Sequence, residues 1–133
     1  MASPESSPTE PLLTKGSGRV KTARRLARRA SRAEHRLFLA EGPQAVREAL
    51  ALRGCVRELF AVPGLDAQHP DLAAATVGLP WQLVDEAALA SLSDTVHPQG
   101  VVAVCRFVDR PLGDVLATPH RLVAVCADVR DPG

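Results

Sequence analysis

The residues of this chain best equipped to act on a partner are cations. Between Lys15 and Arg36 there are nine basic residues and one acid, Glu34, which leaves seven basic and fourteen acidic residues for the rest of the chain. The formal net charge of +1 conceals this division. A cationic arm is joined to a mildly acidic body, the asymmetry expected where one surface meets a polyanion. Lys21, Arg24, Arg25, Arg28, Arg29, Arg32 and Arg36 are the candidate phosphate contacts. A planar guanidinium can fork onto two phosphate oxygens, and release of counterions makes such binding salt-dependent and tolerant of sequence. The plainer reading is a solvated helix face. A membrane-surface helix would need bulky apolar groups, and the opposite face is nearly all alanine with no Trp or Phe.

Other chemistries have weaker support. His35, His69, His97 and His120 lie roughly 20 to 35 positions apart and none stands at ligand spacing from a cysteine, so no metal site is expected. Cys55, Cys105 and Cys126 are odd in number, and two of them sit inside apolar runs. Buried thiols are expected rather than a disulfide framework or a nucleophile. Neither a phosphate-cradling loop nor a dinucleotide fingerprint is present. Glu41, Asp128 and Asp131 fall at strand ends, where a turn or cap role is the default. Ligand and catalytic groups of α/β sheets also gather just past strand carboxyl ends, so 128–133 marks where such a site would begin.

The elements that must hold these residues follow from periodicity and breakers. With 133 residues and 46% hydrophobic content, the chain can bury one core but not a substrate module plus a complete cofactor-binding domain. Aromatics are 3% of the chain and Tyr is absent, so the core must be Ala, Val and Leu, and platforms for stacking bases are few. Residues 1–18, rich in Ser, Pro and Gly, read as a disordered tail. Residues 19–37 read as one helix, with Lys21, Arg25, Arg28, Arg29, Arg32 and Arg36 on one stripe and Val20, Ala23, Leu26, Ala27, Ala30, Ala33 and Leu37 opposite. A strand at 38–41 feeds a helix at 43–52 that starts on Pro43 and is ended by Gly54. A strand at 56–62, a helix at 70–77 and a strand at 81–84 follow. Asp85 then caps a helix at 86–92. Beyond it the uninterrupted Val101-Val102-Ala103-Val104-Cys105 marks a strand covered on both faces. A short helix at 112–117 and a buried strand at 122–127 complete the pattern. The alternation predicts an α/β fold, a three-layer α/β/α sandwich about a central sheet. No run approaches the roughly 20 apolar residues of a membrane span, and the N-terminus lacks the basic-then-apolar pattern of a secretory leader, so a cytoplasmic protein with no membrane partner is expected.

In sequential order, Arg24-Arg25, Arg28-Arg29, Arg36, Phe38-Leu39-Ala40-Glu41-Gly42, Val46, Glu48-Ala49-Leu50, Val56-Arg57-Glu58-Leu59-Phe60 and Pro98-Gln99-Gly100-Val101-Val102-Ala103-Val104 resemble the substrate-binding domain of the SpoU (TrmH-like) family of RNA ribose 2′-O-methyltransferases. The closing Asp128-Val129-Arg130-Asp131-Pro132-Gly133 resembles the start of that family's first catalytic motif. The resemblance covers about residues 20–133. It implies a small ribosomal-protein-like RNA-binding domain at 19–118 that docks structured ribosomal or transfer RNA. At 119–133 it implies the first strand of a truncated, knotted domain that binds S-adenosylmethionine and, when whole, forms a homodimer. The family's later catalytic and cofactor motifs map to no residue here, so this chain by itself is expected to be inactive. The alternative is a stand-alone, non-catalytic RNA-binding module, and a third possibility is an interaction domain whose arginines meet an acidic protein.

Overall fold

The computed structural model describes residues 11–129. Four strands, β1 (Leu37–Glu41), β2 (Val56–Ala61), β3 (Trp81–Leu83) and β4 (Val101–Arg106), form one mixed sheet in the order β1-β4-β2-β3. β4 runs antiparallel to both of its neighbours, while β2 and β3 are parallel. Around the sheet lie α1 (Gly18–Arg24), a 3-10 turn (Arg25–Ala27), α2 (Arg29–His35), α3 (Gly42–Leu50), α4 (Leu65–Gln68), α5 (Pro70–Ala75), α6 (Glu86–Leu92) and α7 (Leu112–Leu116).

The apolar run of β4 is buried from Val101 through Cys105, as a strand covered on both faces requires. Its side chains divide by parity. Val101, Ala103 and Cys105 join Leu59 and Ala61 against Val46 and Ala49 of α3, Leu65 of α4 and Leu72 of α5. Val102 and Val104 join Phe60 against Val20 and Ala23 of α1, Leu26 of the 3-10 turn, and Ala88, Leu89 and Leu92 of α6. Two apolar clusters, one on each face, therefore make the sheet the central element. The cationic arm is fastened to one face by three small or medium apolar residues.

Local chemistry sets the element ends. The Asp85 carboxylate accepts from the Ala88 amide at 2.6 Å, satisfying a donor left open at the head of α6. Gly100, at φ +83°, leads into β4, and a Cβ there would meet Leu65 Cδ1 at 3.0 Å, so both backbone and space call for glycine. Behind α5, the buried Thr76 hydroxyl donates to the Leu72 carbonyl at 2.7 Å and accepts from Trp81 Nε1 at 2.9 Å, which ties that helix to β3.

Several expectations are corrected. Of the segment read as a disordered tail, 1–10 lies outside the described residues, but 11–17 is ordered. Leu13 bridges Val84 in parallel, its amide donating to the Leu83 carbonyl and its carbonyl accepting from Asp85. The open edge of β3 gives this stretch hydrogen-bond partners that composition does not reveal. The helix read over 19–37 is broken at Arg28, where the backbone is extended (φ −87°, ψ 129°). Ala27, Ala30 and Ala33, placed on its apolar face, are exposed. The buried strand read at 122–127 is not formed: the segment has no strand assignment, and Leu122 and Val125 are each 88% exposed. An apolar run becomes a strand only where a neighbour completes its ladder, and no described strand pairs with it. Cys126 is accordingly exposed, not buried. The one-turn α4 escaped prediction altogether.

Candidate nucleic-acid interface

The arm that carries the basic residues is built in three pieces. α1 and the 3-10 turn bury Val20, Ala23 and Leu26, at spacings of three, so the intervening Lys21, Arg24 and Arg25 stand outward and exposed. After the extended Arg28, α2 restarts at Arg29 and buries none of its own residues. Arg36 ends it in the left-handed conformation, φ 52°, and turns the chain into β1.

Breaking the helix would orphan the carbonyls of Leu26 and Ala27, which a continuous helix would pair with later amides. Arg32 replaces those donors: its guanidinium donates to the Leu26 carbonyl at 2.9 Å and to the Ala27 carbonyl at 2.8 Å. Arg36 is likewise engaged. It donates to Asp109 at 2.6 Å, and its guanidinium lies 4.9 Å from the centre of the Phe107 ring. Thus the structure separates the seven predicted contacts into two groups. Arg32 and Arg36 are fixed to the protein, whereas Lys21, Arg24, Arg25, Arg28 and Arg29 are exposed and form no ion pair among the described residues.

Two further cations, not among the seven predicted contacts, border this surface. Arg19 reaches from α1 to Glu58 on β2 at 3.5 Å. Arg57 is the extra residue of a bulge in β2 and is exposed. On the adjoining side, Arg24, Arg32, Glu41, Ser91 and Asp94 line a cleft of about 300 Å³. Glu41 plays a turn role there: it accepts from Ser93 Oγ at 2.6 Å and from the Asp94 amide at 3.0 Å, holding the loop after α6 against the end of β1.

The remaining titratable groups read as structural. Arg47 donates to Asp71 at 2.7 Å and joins α3 to α5. That hydrogen bond holds the Asp71 carboxyl below its ordinary range and raises the Arg47 guanidinium above its own. Among the described residues no group of three His, Cys, Asp or Glu side chains could hold a metal ion. No helix among them is long and apolar enough to cross a membrane.

Cys55 and Cys105 are buried free thiols, and burial, with Cys55 alongside, pushes Cys105 up from 9.0 to about 12. A thiol reagent at neutral pH is therefore expected to label Cys126 at once and the two buried thiols only in denaturant; three fast thiols in the folded chain would contradict this packing. The same shift fixes an alkaline limit. Below pH 9 the thiol is protonated in both the folded and unfolded chain, so its contribution to stability is intact. Between about 9 and 12 the unfolded thiol ionises first, and stability falls as pH rises.

Residues 18–103 match the family described as MRM3-like substrate binding domain. Over 116 residues the chain is 30% identical to the 23S rRNA (guanosine(2553)-2'-O)-methyltransferase RlmP of Bacillus subtilis (strain 168), covering 86% of this chain and 43% of that protein. The crystal structure of an rRNA methyltransferase from Sinorhizobium meliloti is similar with a TM-score of 0.65 at 30% identity, over 78% of this chain and 39% of that one. An AdoMet-bound rRNA methyltransferase from the same organism gives 0.62 at 30% identity, over 77% of this chain and 40% of its own. The chain thus spans less than half the length of each of these relatives. The family match begins at the first residue of α1 and ends within β4, so it takes in the cationic arm, β1, β2, β3 and the first half of β4.

Proposed function

Because this chain belongs to the MRM3-like substrate binding domain family, we propose that it is the RNA-recognition part of an S-adenosylmethionine-dependent RNA ribose 2′-O-methyltransferase acting on ribosomal RNA. The observation that carries the reading is the row of five exposed cations, Lys21, Arg24, Arg25, Arg28 and Arg29, which form no ion pair among the described residues and stand on an arm clamped to one face of the sheet. A surface of that kind tracks phosphates along a structured RNA, and phosphate contacts fix register and orientation without reading bases. The scarcity of aromatics fits a grip on a structured RNA better than a stacked single strand.

On this reading residues 19–118 are the RNA-binding domain, a three-layer α/β/α sandwich of the small ribosomal-protein-like kind. Residues 119–133 are the opening of a knotted methyltransferase domain, which would also carry the homodimer contact. The exposed apolar run at 122–127 supports that division, since it is a strand-like sequence with no sheet to join among the described residues. S-adenosylmethionine, when bound to the whole enzyme, supplies the methyl group for the ribose 2′-hydroxyl. On this reading its pocket belongs to the methyltransferase domain and not to the described residues of the RNA-binding domain. No catalytic step is therefore assigned to them, and the chain alone is expected to be inactive. Cytoplasmic residence suits a partner of this kind.

A second reading, a stand-alone RNA-binding module, is favoured by one fact. Both apolar clusters draw their residues from between Leu13 and Cys105 and owe nothing to 112–129. The two readings share an RNA partner, so the deciding test is binding. Anisotropy of a fluorescein-labelled 23S rRNA stem-loop should report an affinity that falls linearly in log–log form as salt rises. A flat response, or no binding at low salt, would remove both readings in favour of an acidic protein partner.

A further inference from the structure

We propose that the bulge in β2 builds a seat for one backbone phosphate of the bound RNA, held between the guanidinium groups of Arg57 and Arg25; this deepens the RNA-binding reading and rests on it. In the ladder between β2 and β4, Val56 faces Cys105 and Glu58 faces Val104, so Arg57 has no counterpart. An extra residue of this sort redirects its side chain and sharpens the local twist, and bulges recur beside binding sites. Here the result is an exposed arginine on a strand whose other members, Glu58 aside, are buried.

Arg57 projects beside the arm rather than into solvent alone. With Arg25 of the 3-10 turn, Thr22 of α1, Ser31 and His35 of α2, and Glu58 it lines a notch of about 80 Å³. At roughly 30 Å³ per water, that is room for a group of a few heavy atoms. Glu58 would repel an anion, but Arg19 is already paired with it at 3.5 Å, which leaves the notch with a cationic surplus. His35 directs its Nδ1–H to the Ser31 carbonyl, to which it donates at 3.0 Å, so that donor is not offered to an anion. The hydroxyls of Thr22 and Ser31 have no hydrogen-bond partner among the described residues and are free to donate. Two guanidinium forks from different elements, with hydroxyl donors between them, match the several oxygens of a phosphodiester. The notch also adjoins the cations of the arm, so one RNA backbone can occupy both.

The test uses the whole chain and the fluorescein-labelled stem-loop, with circular dichroism to confirm folding. Arg57→Ala is expected to weaken binding about fivefold and to lower the salt slope by about one, with Arg25→Ala similar. The double variant should lose less than the two single losses combined, because both side chains serve one phosphate. Arg57→Lys should restore the slope, since it keeps the charge, whereas Arg57→Gln, which keeps bulk without charge, should behave as Arg57→Ala does. If Arg57→Ala and Arg57→Gln bind like the unmodified chain while substitutions along the arm abolish binding, the seat is wrong and the RNA reading stands. If the unmodified chain shows no salt-dependent RNA binding, the seat and the RNA reading fall together. Displacement of the RNA by poly-glutamate as effectively as by unlabelled RNA would assign the notch to an acidic protein and overturn the proposal.

Discussion

Replacing Arg24, Arg25, Arg28 and Arg29 together by alanine is expected to weaken RNA binding on the order of a hundredfold and to reduce the salt slope by roughly three to three and a half. Each phosphate neutralised by an exposed arginine releases condensed counterions and contributes roughly 0.7 to 0.9 to the slope, so four lost contacts sum to that range. These four side chains are exposed and make no ion pair among the described residues, so their removal leaves the core that supports the arm untouched. Arg32→Ala supplies the contrast. Its guanidinium donates to the Leu26 and Ala27 carbonyls, so its loss should appear as about 1–3 kcal/mol of stability with a nearly unchanged salt slope. Anisotropy titrations at four salt concentrations separate the two cases. A quadruple variant that keeps the slope of the unmodified chain would show that the arm is a solvated surface and not the RNA grip.

That contrast also shows what the sequence could and could not disclose. Val20, Ala23 and Leu26 recur at spacings of three, and this short-range pattern correctly turned Lys21 and Arg25 outward. The break at Arg28 has no such signal: neither glycine nor proline stands there, and the helix yields because tertiary contacts favour Leu26 buried and α2 redirected toward β1. Hence the distinction between free and committed arginines was invisible, since Arg32 and Arg36 find their partners only in the bent chain. β4 was legible because five consecutive apolar residues admit few other readings. Its antiparallel position between β1 and β2 was not, because strand order is decided by pairings far apart in sequence. Arg57 was hidden for the same reason, as a bulge is a mismatch between two strands and neither strand records it alone. The apolar run at 122–127 misled in the opposite sense: hydrophobicity expresses a readiness to pair, and the pair must exist.

The largest effect on stability is expected from Phe60→Ala, at about 3–5 kcal/mol. Phe60 heads the largest fully buried side chains, and it lies near the carboxyl end of β2 on the face that receives the arm. Its cluster is otherwise assembled from Val, Ala and Leu, with Val20, Ala23 and Leu26 on one side and Ala88, Leu89 and Leu92 on the other. Short side chains cannot reach into the space a lost ring leaves, so the site collapses only partly and the cavity cost adds to the lost transfer energy. Folded domains hold roughly 5–15 kcal/mol in all, which places the variant close to the limit of folding. The chain's single tryptophan, Trp81, lies on β3 and donates to Thr76, so its emission should shift to the red as the sheet opens. Urea unfolding followed by that emission and by far-ultraviolet circular dichroism measures the loss. Phe60→Leu, which keeps most of the buried area, should cost markedly less. Since Phe60 supports the arm from beneath, the alanine variant should also lose RNA affinity while retaining every basic residue. A loss below about 1 kcal/mol would mean that the arm does not dock through this cluster, and the outward placement of Lys21, Arg24 and Arg25 that rests on that docking would fall with it.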